Sequence, residues 1–176
     1  FVSNLYRKPP VRTVSHPLVK QFTEDCDFRA NSLDVFMASF ALEAKSRGAM
    51  LLLVDMPQFK APDEQGSVSL LQQQQNRLFP YLVSIPPEKV SSYILNDKGQ
   101  LDSVTIESVA VIDGVAKFVL RSWDTQTWKI TDGVVTISEG VHGLGVCPVL
   151  AFSESLAFPS TGDFAQIADI SKRLYN

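Results

Sequence analysis

Two Asp-Gly dipeptides constrain the fold of this chain more than any other sequence feature. Asp113-Gly114 and Asp132-Gly133 each separate segments rich in β-branched and aromatic residues. Aspartate followed by glycine favours the two-residue turns that join antiparallel strands, because both turn positions accept a positive φ. The stretch from 81 to 138 is therefore predicted to form an antiparallel β-meander. Its predicted strands are Tyr81–Ile85, Ser91–Leu95, Leu101–Ile112, Val115–Ser122, Trp128–Thr131 and Val134–Ser138.

Apolar and polar residues alternate along the two central strands of this predicted meander. Val104, Ile106 and Ala110 alternate with polar residues in the first, and Phe118 and Leu120 do so in the second. Successive side chains of a strand point to opposite faces, so the alternation indicates one buried and one solvated face. All five of these apolar residues are expected on the buried face.

A helix followed by a buried strand precedes the meander. Apolar residues recur with helical spacing from Asn31 to Gly48, with Phe36 and Phe40 on the apolar stripe. Gly48 supplies a left-handed end to the helix, and the apolar segment Met50–Val54 follows at once. A strand that is apolar on both faces is covered on both sides. The helix–strand unit and the meander together predict an α+β fold.

Shorter elements complete the predicted organisation. A polar loop is expected from Gln58 to Gly66 and a short helix around the glutamine run Gln72–Gln75. Val146–Phe152 is predicted to be another apolar strand, and a helix is predicted from Phe164 towards the end of the chain. Because the sequence opens without methionine and closes within this helical pattern, we expect a piece of a longer polypeptide.

Length, composition and charge exclude several classes of protein. The 176 residues are 45% hydrophobic, which suits one globular domain and argues against intrinsic disorder. No apolar run approaches the roughly 20 residues that a membrane-spanning helix needs. The net charge of −3 argues against nucleic-acid binding by bulk charge. The first 20 residues nevertheless carry +4, which leaves −7 for the rest, and their basic residues are Arg7, Lys8, Arg12 and Lys20.

Motifs of known enzyme and metal sites are missing from the sequence. There is no nucleophile elbow, no phosphate-binding loop and no zinc-binding histidine pair. The two histidines, His16 and His142, belong to no cluster with metal-ligand spacing. The two cysteines, Cys26 and Cys147, match no redox or metal spacing, which is typical of a reduced intracellular protein. No catalytic, cofactor-binding or metal-binding residue is therefore assigned.

A few residues remain as candidates for chemistry, each beside a structural interpretation. His142 and Cys147 are the only pair that a thiol-dependent hydrolase could use, although Cys147 lies in an apolar run typical of the core. A serine with His142 and Asp132 or Asp163 is the corresponding triad. Asp55 follows a buried strand, where doubly wound enzymes place acids, but an aspartate there also forms ordinary turns.

Glycines and tryptophans are the other open cases. Gly140, Gly143 and Gly145 could form an anion-binding nest, but they lead into a strand, so a tight connection is the favoured interpretation. Trp123 and Trp128 could stack on a base or a sugar, and they also suit a cross-strand aromatic pair.

Five short motifs follow one another along the chain. They are Asn4–Pro10 (RKPP), Ser32–Phe36 with Arg47–Pro57 (G followed by VDMP), Asn76–Leu82 (NRLFPYL), Pro87–Val90 (PEKV) and Leu144–Val149 (LGVCPV). Their order resembles the portal proteins of tailed bacteriophages. Leu78-Phe79 separates Arg77 from its proline, and Tyr93 stands where a tryptophan is common in the family.

The resemblance implies a structural subunit with no enzymatic activity. Portal subunits form a homo-oligomeric ring at one capsid vertex, through which DNA passes during packaging and ejection without sequence-specific binding. The implied partners are the capsid protein, the terminase and tail adaptor proteins, with no membrane and no cofactor. The implied location is the virion, and the host cytoplasm during assembly. Residues 1–30 are expected to be an extended basic connector arm, and residues 31–176 one α+β domain like the portal wing.

Two other functions remain open from the sequence. One is a viral or cellular module that binds protein or carbohydrate, with Trp123 and Trp128 in its site. The other is a hydrolase that uses Cys147 or Asp55.

Overall fold

The longest helix of the computed structural model forms where the apolar spacing predicts it. It spans Leu33–Arg47, and Ser32 begins it by accepting a hydrogen bond on Oγ from the Val35 amide at 3.4 Å. Gly48 ends the helix with a φ of 86°, which only glycine adopts without strain. Phe36 is buried, as is Phe40 one turn later, so the helix packs by the stripe that the sequence indicates.

The structure describes residues 6–8, 10–57, 70–153, 162, 165, 169 and 171–173. The helices are α1 (Pro17–Glu24), α2 (Leu33–Arg47) and α3 (Leu70–Gln75), with a short 3-10 helix at Pro87–Lys89. The strands are β1 (Ala49–Asp55), β2 (Tyr81–Ile85), β3 (Val90–Leu95), β4 (Leu101–Ile112), β5 (Val115–Trp123), β6 (Thr127–Thr131), β7 (Thr136–Val141) and β8 (Val149–Ser153). Helices and two antiparallel sheets confirm the predicted α+β class.

The first sheet has three strands in the order β2-β1-β8. Ala49 to Leu53 of its central strand are all buried, which confirms the predicted strand covered on both sides. β8 pairs antiparallel with β1, and Leu53 lies opposite Val149. β2 was expected within the meander and instead belongs to this sheet, because Pro86 and the 3-10 helix separate it from β3.

The second sheet is the predicted meander, with five strands in the order β3-β4-β5-β6-β7. Each strand pairs with its neighbour in sequence, as short hairpin connections require. Gly114, in the turn between β4 and β5, has a φ of 77°, and Asp113 before it has a φ of 53°. Both values match the turn that an Asp-Gly pair favours.

The buried face of β5 is the opposite of the one that the sequence predicted. Phe118, expected in the core, is 82% exposed, and Val119 beside it is 2% exposed. The two-residue turn places Ile112 opposite Val115, so each even-numbered residue of β4 faces an odd-numbered residue of β5. Within this pairing the buried residues of β4, Val104 and Ile106, are even-numbered, so the pleat turns the odd-numbered residues of β5 towards the core, among them Val119.

Two strand boundaries also differ from the prediction. β7 begins at Thr136 instead of Val134, because the Asp132 carboxylate accepts hydrogen bonds from the Val134 and Val135 amides and extends the turn. β8 begins at Val149 instead of Val146, since Gly145 has a φ of 70° and Pro148 has no amide hydrogen to give to a sheet.

By its contacts the chain divides into two compact units. One contains residues 1–42 and 54–83, and the other contains residues 43–53 and 84–176. The arm over residues 1–30 and the domain over 31–176 stay a prediction. The predicted loop 58–66 lies outside the described residues, as does most of the predicted C-terminal helix, of which residues 165, 169 and 171–173 are helical. Across the described ranges no helix is long and apolar enough to span a membrane.

Candidate functional site

His142 and Cys147 are not brought together as a catalytic pair. The Nε2 atom of His142 lies 3.0 Å from the main-chain oxygen of Asp124, and its Nδ1 accepts a hydrogen bond from the Leu144 amide at 3.3 Å. Both ring nitrogens therefore bind main-chain groups, with the proton on Nε2. The Cys147 sulfur contacts the main-chain oxygen of Trp123 at 4.0 Å. His142 therefore stabilises a loop, and its ring nitrogens are not available to take a proton from the Cys147 thiol.

The environment of Cys147 disfavours its thiolate form. The side chain is buried, at 6% exposure, and this burial raises the pKa of the Cys147 thiol, with a further contribution from the negative charges of Asp124 and Asp102. A nucleophilic cysteine needs the opposite setting, with nearby positive charge that lowers its pKa. Burial likewise raises the pKa of Cys26 to about 11. Both thiols have the properties of core residues.

Asp124 holds the connection between β5 and β6. Its carboxylate accepts hydrogen bonds from the Gln126 amide at 2.7 Å, the Thr127 amide at 2.6 Å and the Thr127 hydroxyl at 2.6 Å. These bonds, the one from the Thr127 side chain first, lower the pKa of Asp124 to about 2. The carboxylate of Asp124 is thus committed to a turn.

A cleft of about 500 Å³ lies beside Cys147 and is mainly apolar. Asp102 is the one carboxylate in its lining, and its Oδ1 atom accepts a hydrogen bond from the side-chain Nδ2 of Asn96 at 3.3 Å. Val146, Val149 and Phe152 supply apolar wall. An open apolar cleft with one polar corner can hold a small ligand or a partner side chain.

The two tryptophans form a cross-strand pair. Trp123 of β5 lies directly opposite Trp128 of β6 and is 7% exposed, so its ring is closed to an external ligand. Trp128 is partly exposed and lies against β7, where a Cβ atom on Gly140 would come within 2.7 Å of the indole nitrogen. Gly140 thus leaves room for the indole. This packing explains a glycine at position 140 without an anion-binding nest.

The other glycines and the triad acids have structural settings too. Gly143 and Gly145 have φ values of 65° and 70°, as a tight connection between strands requires. Asp132 is bound to amides of its own turn and is not directed at His142. Asp163 lies outside the described residues.

Asp55, the candidate acid at the end of β1, is part of a polar and aromatic cluster that sequence reasoning did not find. Its Oδ2 atom accepts a hydrogen bond from the Tyr81 hydroxyl at 2.8 Å, and its Oδ1 accepts one from the Met56 amide. The Tyr81 ring stacks on Phe28 with centroids 4.8 Å apart, and Phe79 meets Phe28 edge-on at 5.1 Å. The Asp55 carboxylate is therefore engaged in a hydrogen bond with a tyrosine hydroxyl.

An arginine completes this cluster. The Arg77 guanidinium forms an ion pair with Asp25 and lies 5.3 Å from the centre of the Phe28 ring. Arg77 and Phe28 both have a positive φ, of 53° and 59°, and so does Ala30 at 63°. Non-glycine residues adopt this conformation only where the surroundings impose it. The aromatic cluster, defined here as Asp25, Phe28, Asp55, Arg77, Phe79 and Tyr81, thus fixes two loops to each other.

The outer face of the β4–β5 hairpin carries exposed apolar side chains. Val109 lies opposite Phe118, and the two are 55% and 82% exposed. Val111, on the same face, is 74% exposed. We call these three residues the hairpin face. A contiguous exposed apolar surface of this kind marks an interaction site more often than an isolated leucine or valine does.

The described residues show no constellation for a metal ion. No group of three or more histidine, cysteine, aspartate or glutamate side chains comes together within the described ranges. His16, the second histidine, begins α1 by accepting a hydrogen bond from the Leu18 amide at 3.3 Å. Its ring is used as a helix cap.

No protein-family model matches the chain, and no curated protein sequence is significantly similar to it.

Proposed function

We propose that this chain belongs to a structural subunit of a bacteriophage portal, the ring at one capsid vertex through which DNA is packaged and ejected. In this role it forms contacts with copies of itself, with the terminase and with tail proteins, and it catalyses no reaction. The proposal rests on the motif resemblance together with surfaces that suit assembly.

The observation that carries an assembly function is the hairpin face. Phe118 is the most exposed aromatic side chain among the described residues, and it lies beside Val109 and Val111 on a sheet face that no described element covers. Exposing these side chains to water is unfavourable, by about 25 cal/mol for each Å² of apolar surface. A subunit that buries them against a neighbour recovers this free energy on assembly.

The aromatic cluster gives the motif resemblance a physical basis. Asp55 comes from the VDMP motif, and Arg77 and Tyr81 come from the NRLFPYL motif, 22 and 26 residues further along the chain. The structure joins Asp55 to Tyr81 by a hydrogen bond of 2.8 Å. Two motifs that look unrelated in the sequence thus supply parts of one cluster, which supports reading them as elements of one fold.

The charge distribution is compatible with a channel for DNA. Outside the first 20 residues the chain carries a net charge of −7. Proteins that hold DNA neutralise its phosphates with lysine and arginine, and their affinity falls with each contact removed. A subunit with an acidic body does not retain DNA that must slide past it.

Electron microscopy of the protein made from its complete reading frame tests the proposal. We expect closed rings in negative stain, and native mass spectrometry should show one dominant oligomer. Phe118→Ser should lower the ring yield several-fold, whereas Val35→Ser, a change at a 57% exposed position of α2, should not. A protein that stays monomeric at high concentration would refute the portal assignment.

The binding-module alternative is favoured by the partly exposed Trp128 and by the cleft beside Cys147. Under that alternative, Trp128→Ala abolishes binding to a peptide or glycan array while the oligomeric state is unchanged. If instead a hydrolytic activity were found and Cys147→Ala removed it, the enzyme alternative would replace both.

A further inference from the structure

Strand β7 is an open edge of the five-stranded sheet. Within the described residues it pairs with β6 on one side and with no strand on the other. The strand and its two flanking loops concentrate exposed apolar side chains: Val134, Val135, Ile137, Val141, Leu144 and Val146 are each at least 40% exposed. A long apolar edge is a template for a further strand unless the protein covers it.

The hydrogen-bond pattern identifies which β7 groups face outwards. The His142 amide donates to the Gln126 oxygen, which makes 126 and 142 a hydrogen-bonded pair. Hydrogen-bonded and non-bonded pairs alternate in antiparallel sheets, so Thr127 with Val141 and Lys129 with Glu139 are non-bonded pairs. The main-chain groups of Glu139 and Val141 therefore point away from β6, towards the open edge.

The segment from residue 10 to residue 15 has the properties of a strand without a sheet. It is in no helix or strand, and Val11 is 98% exposed. Three of its six residues, Val11, Thr13 and Val14, are of types that favour strands. Among the described residues an ion pair links it to its own chain, that of Arg12 with Asp34 at 2.7 Å, and both side chains are about one third exposed. Such exposed ion pairs contribute little to stability.

The charges of the segment and the edge are complementary. Residues 1–20 carry four basic side chains and no acidic one. Residues 124–146, which include β7, carry three acidic side chains and one basic one, a net charge of −2. A second copy of residues 124–146 would instead carry the same net charge of −2 as the edge it met. Charge thus favours the basic segment as the occupant.

We propose that residues 10–15 of one copy of this chain add to β7 of a second copy as a sixth strand. The contact is head-to-tail, since the two surfaces differ, and such contacts close into rings or extend into filaments. This inference rests on the proposed self-assembly and names the surfaces that would form it. Main-chain hydrogen bonds supply affinity, and Val11 gains a partner for its exposed side chain.

Cross-linking between two variants that each carry one added cysteine tests the contact directly. Val11→Cys protein is mixed with Val141→Cys protein, and a bis-maleimide with a flexible spacer joins nearby thiols whichever register the strands adopt. Val115→Cys is the matched control, because Val115 is 58% exposed and Val141 is 76% exposed, but Val115 lies at the start of β5 and outside the hairpin face. The native cysteines are buried and have raised thiol pKa values, so they react slowly.

We expect about ten-fold more cross-linked heterodimer from the 11–141 mixture than from the 11–115 mixture, because a docked strand raises the local concentration of the thiols. Equal yields would overturn the proposal. A cross-link that forms within a chain carrying both substitutions, but not between the two separate variants, would also overturn it. In that case the segment would pair with β7 of its own chain.

A proline variant checks the same contact through the main chain. Val141→Pro removes one outward amide hydrogen and leaves the β6–β7 pairing intact, and edge strands accept proline. It should weaken association by up to about ten-fold, the effect of one lost hydrogen bond, whereas Val141→Thr should not. Rings without the 11–141 cross-link would refute this inference alone, and the cross-link without rings would refute the portal function alone.

Discussion

Asp124 illustrates how a single side chain can look catalytic and be structural. Its main-chain oxygen lies 3.0 Å from His142 Nε2, yet its carboxylate accepts three hydrogen bonds from its own turn. The cost of protonating such a group appears as a lowered pKa, here about 2. A depressed pKa is therefore a sign of local stabilisation as much as of a reactive site.

This pKa predicts how stability depends on pH. Because the folded-state pKa of Asp124 lies below its usual value of 3.8, the stabilisation is complete above about pH 4. It is lost as the pH falls from about 4 to 2. We expect Asp124→Asn to lower the free energy of unfolding at pH 7 and to reduce the loss between pH 4 and pH 2, as urea unfolding at each pH would measure.

Glu107 provides the control for this measurement, because it is exposed in β4 and shows no such cluster of hydrogen bonds. Glu107→Gln, measured in the same way, shows the effect of replacing a carboxylate outside the Asp124 turn. If Asp124→Asn retained the full wild-type loss of stability below pH 4, other carboxylates would be responsible for it.

The sequence predicted which residues are buried more reliably than it predicted which side chains contact each other. The apolar neighbours of Cys147 indicated a buried thiol, and it is buried. The Asp25–Arg77 pair joins residues 52 positions apart, and the Tyr81–Asp55 bond joins residues 26 apart. No local pattern marks such pairs, because their partners are set by how the loops fold back on each other.

The β4–β5 hairpin shows how one turn sets the exposure of a whole strand. With Ile112 opposite Val115, a shift of one residue would exchange the two faces of β5. Phe118 would then be buried and Val119 exposed.

Substitution of these two neighbours distinguishes the alternatives. Phe118→Ser should change the free energy of unfolding by no more than about 0.5 kcal/mol, since the side chain is exposed. Val119→Ala should lower it by about 1–3 kcal/mol, because two buried methyl groups are lost and a cavity remains. Urea denaturation of both variants measures the difference. A larger loss for Phe118→Ser than for Val119→Ala would mean that the opposite face of β5 is buried.

At the level of elements, the sequence predicted most strands and the main helix, because hairpin turns and apolar spacing are local signals. β4 was predicted with its observed ends, Leu101 and Ile112, and β2 with its ends Tyr81 and Ile85. The predicted start of β7 was wrong because the Asp132 side chain competes for the amides of Val134 and Val135. The phase of β5 could have been derived by counting residues across the Asp-Gly turn.

For the molecule as a whole, the separation of a basic first segment from an acidic remainder bears on self-association. Opposite charges on the two proposed surfaces attract each other, and salt screens the attraction. We expect association of copies to weaken as sodium chloride increases from about 0.1 M to 1 M, where the screening length falls from about 10 Å to 3 Å. Sedimentation velocity over this range measures the change. Stronger association in high salt would instead indicate that apolar surface dominates the contact.

The arrangement of the two sheets was beyond sequence reasoning. Local patterns identify β1, β2 and β8 as apolar strands but do not state that they pair with one another. β2 follows α3 and β8 follows the whole meander, yet both lie next to β1. Which strands become neighbours depends on the total burial that the chain achieves, a property of many residues together.

The position of β1 has a consequence for synthesis on the ribosome. Its buried residues Met50 to Leu53 pair with a strand that is made about 100 residues later. At about 5–20 residues per second, this apolar strand waits about 5–20 s for its antiparallel neighbour. During that interval it is a target for chaperones and for premature pairing with another nascent chain, so slow translation through the meander would be a hazard to the yield of native protein.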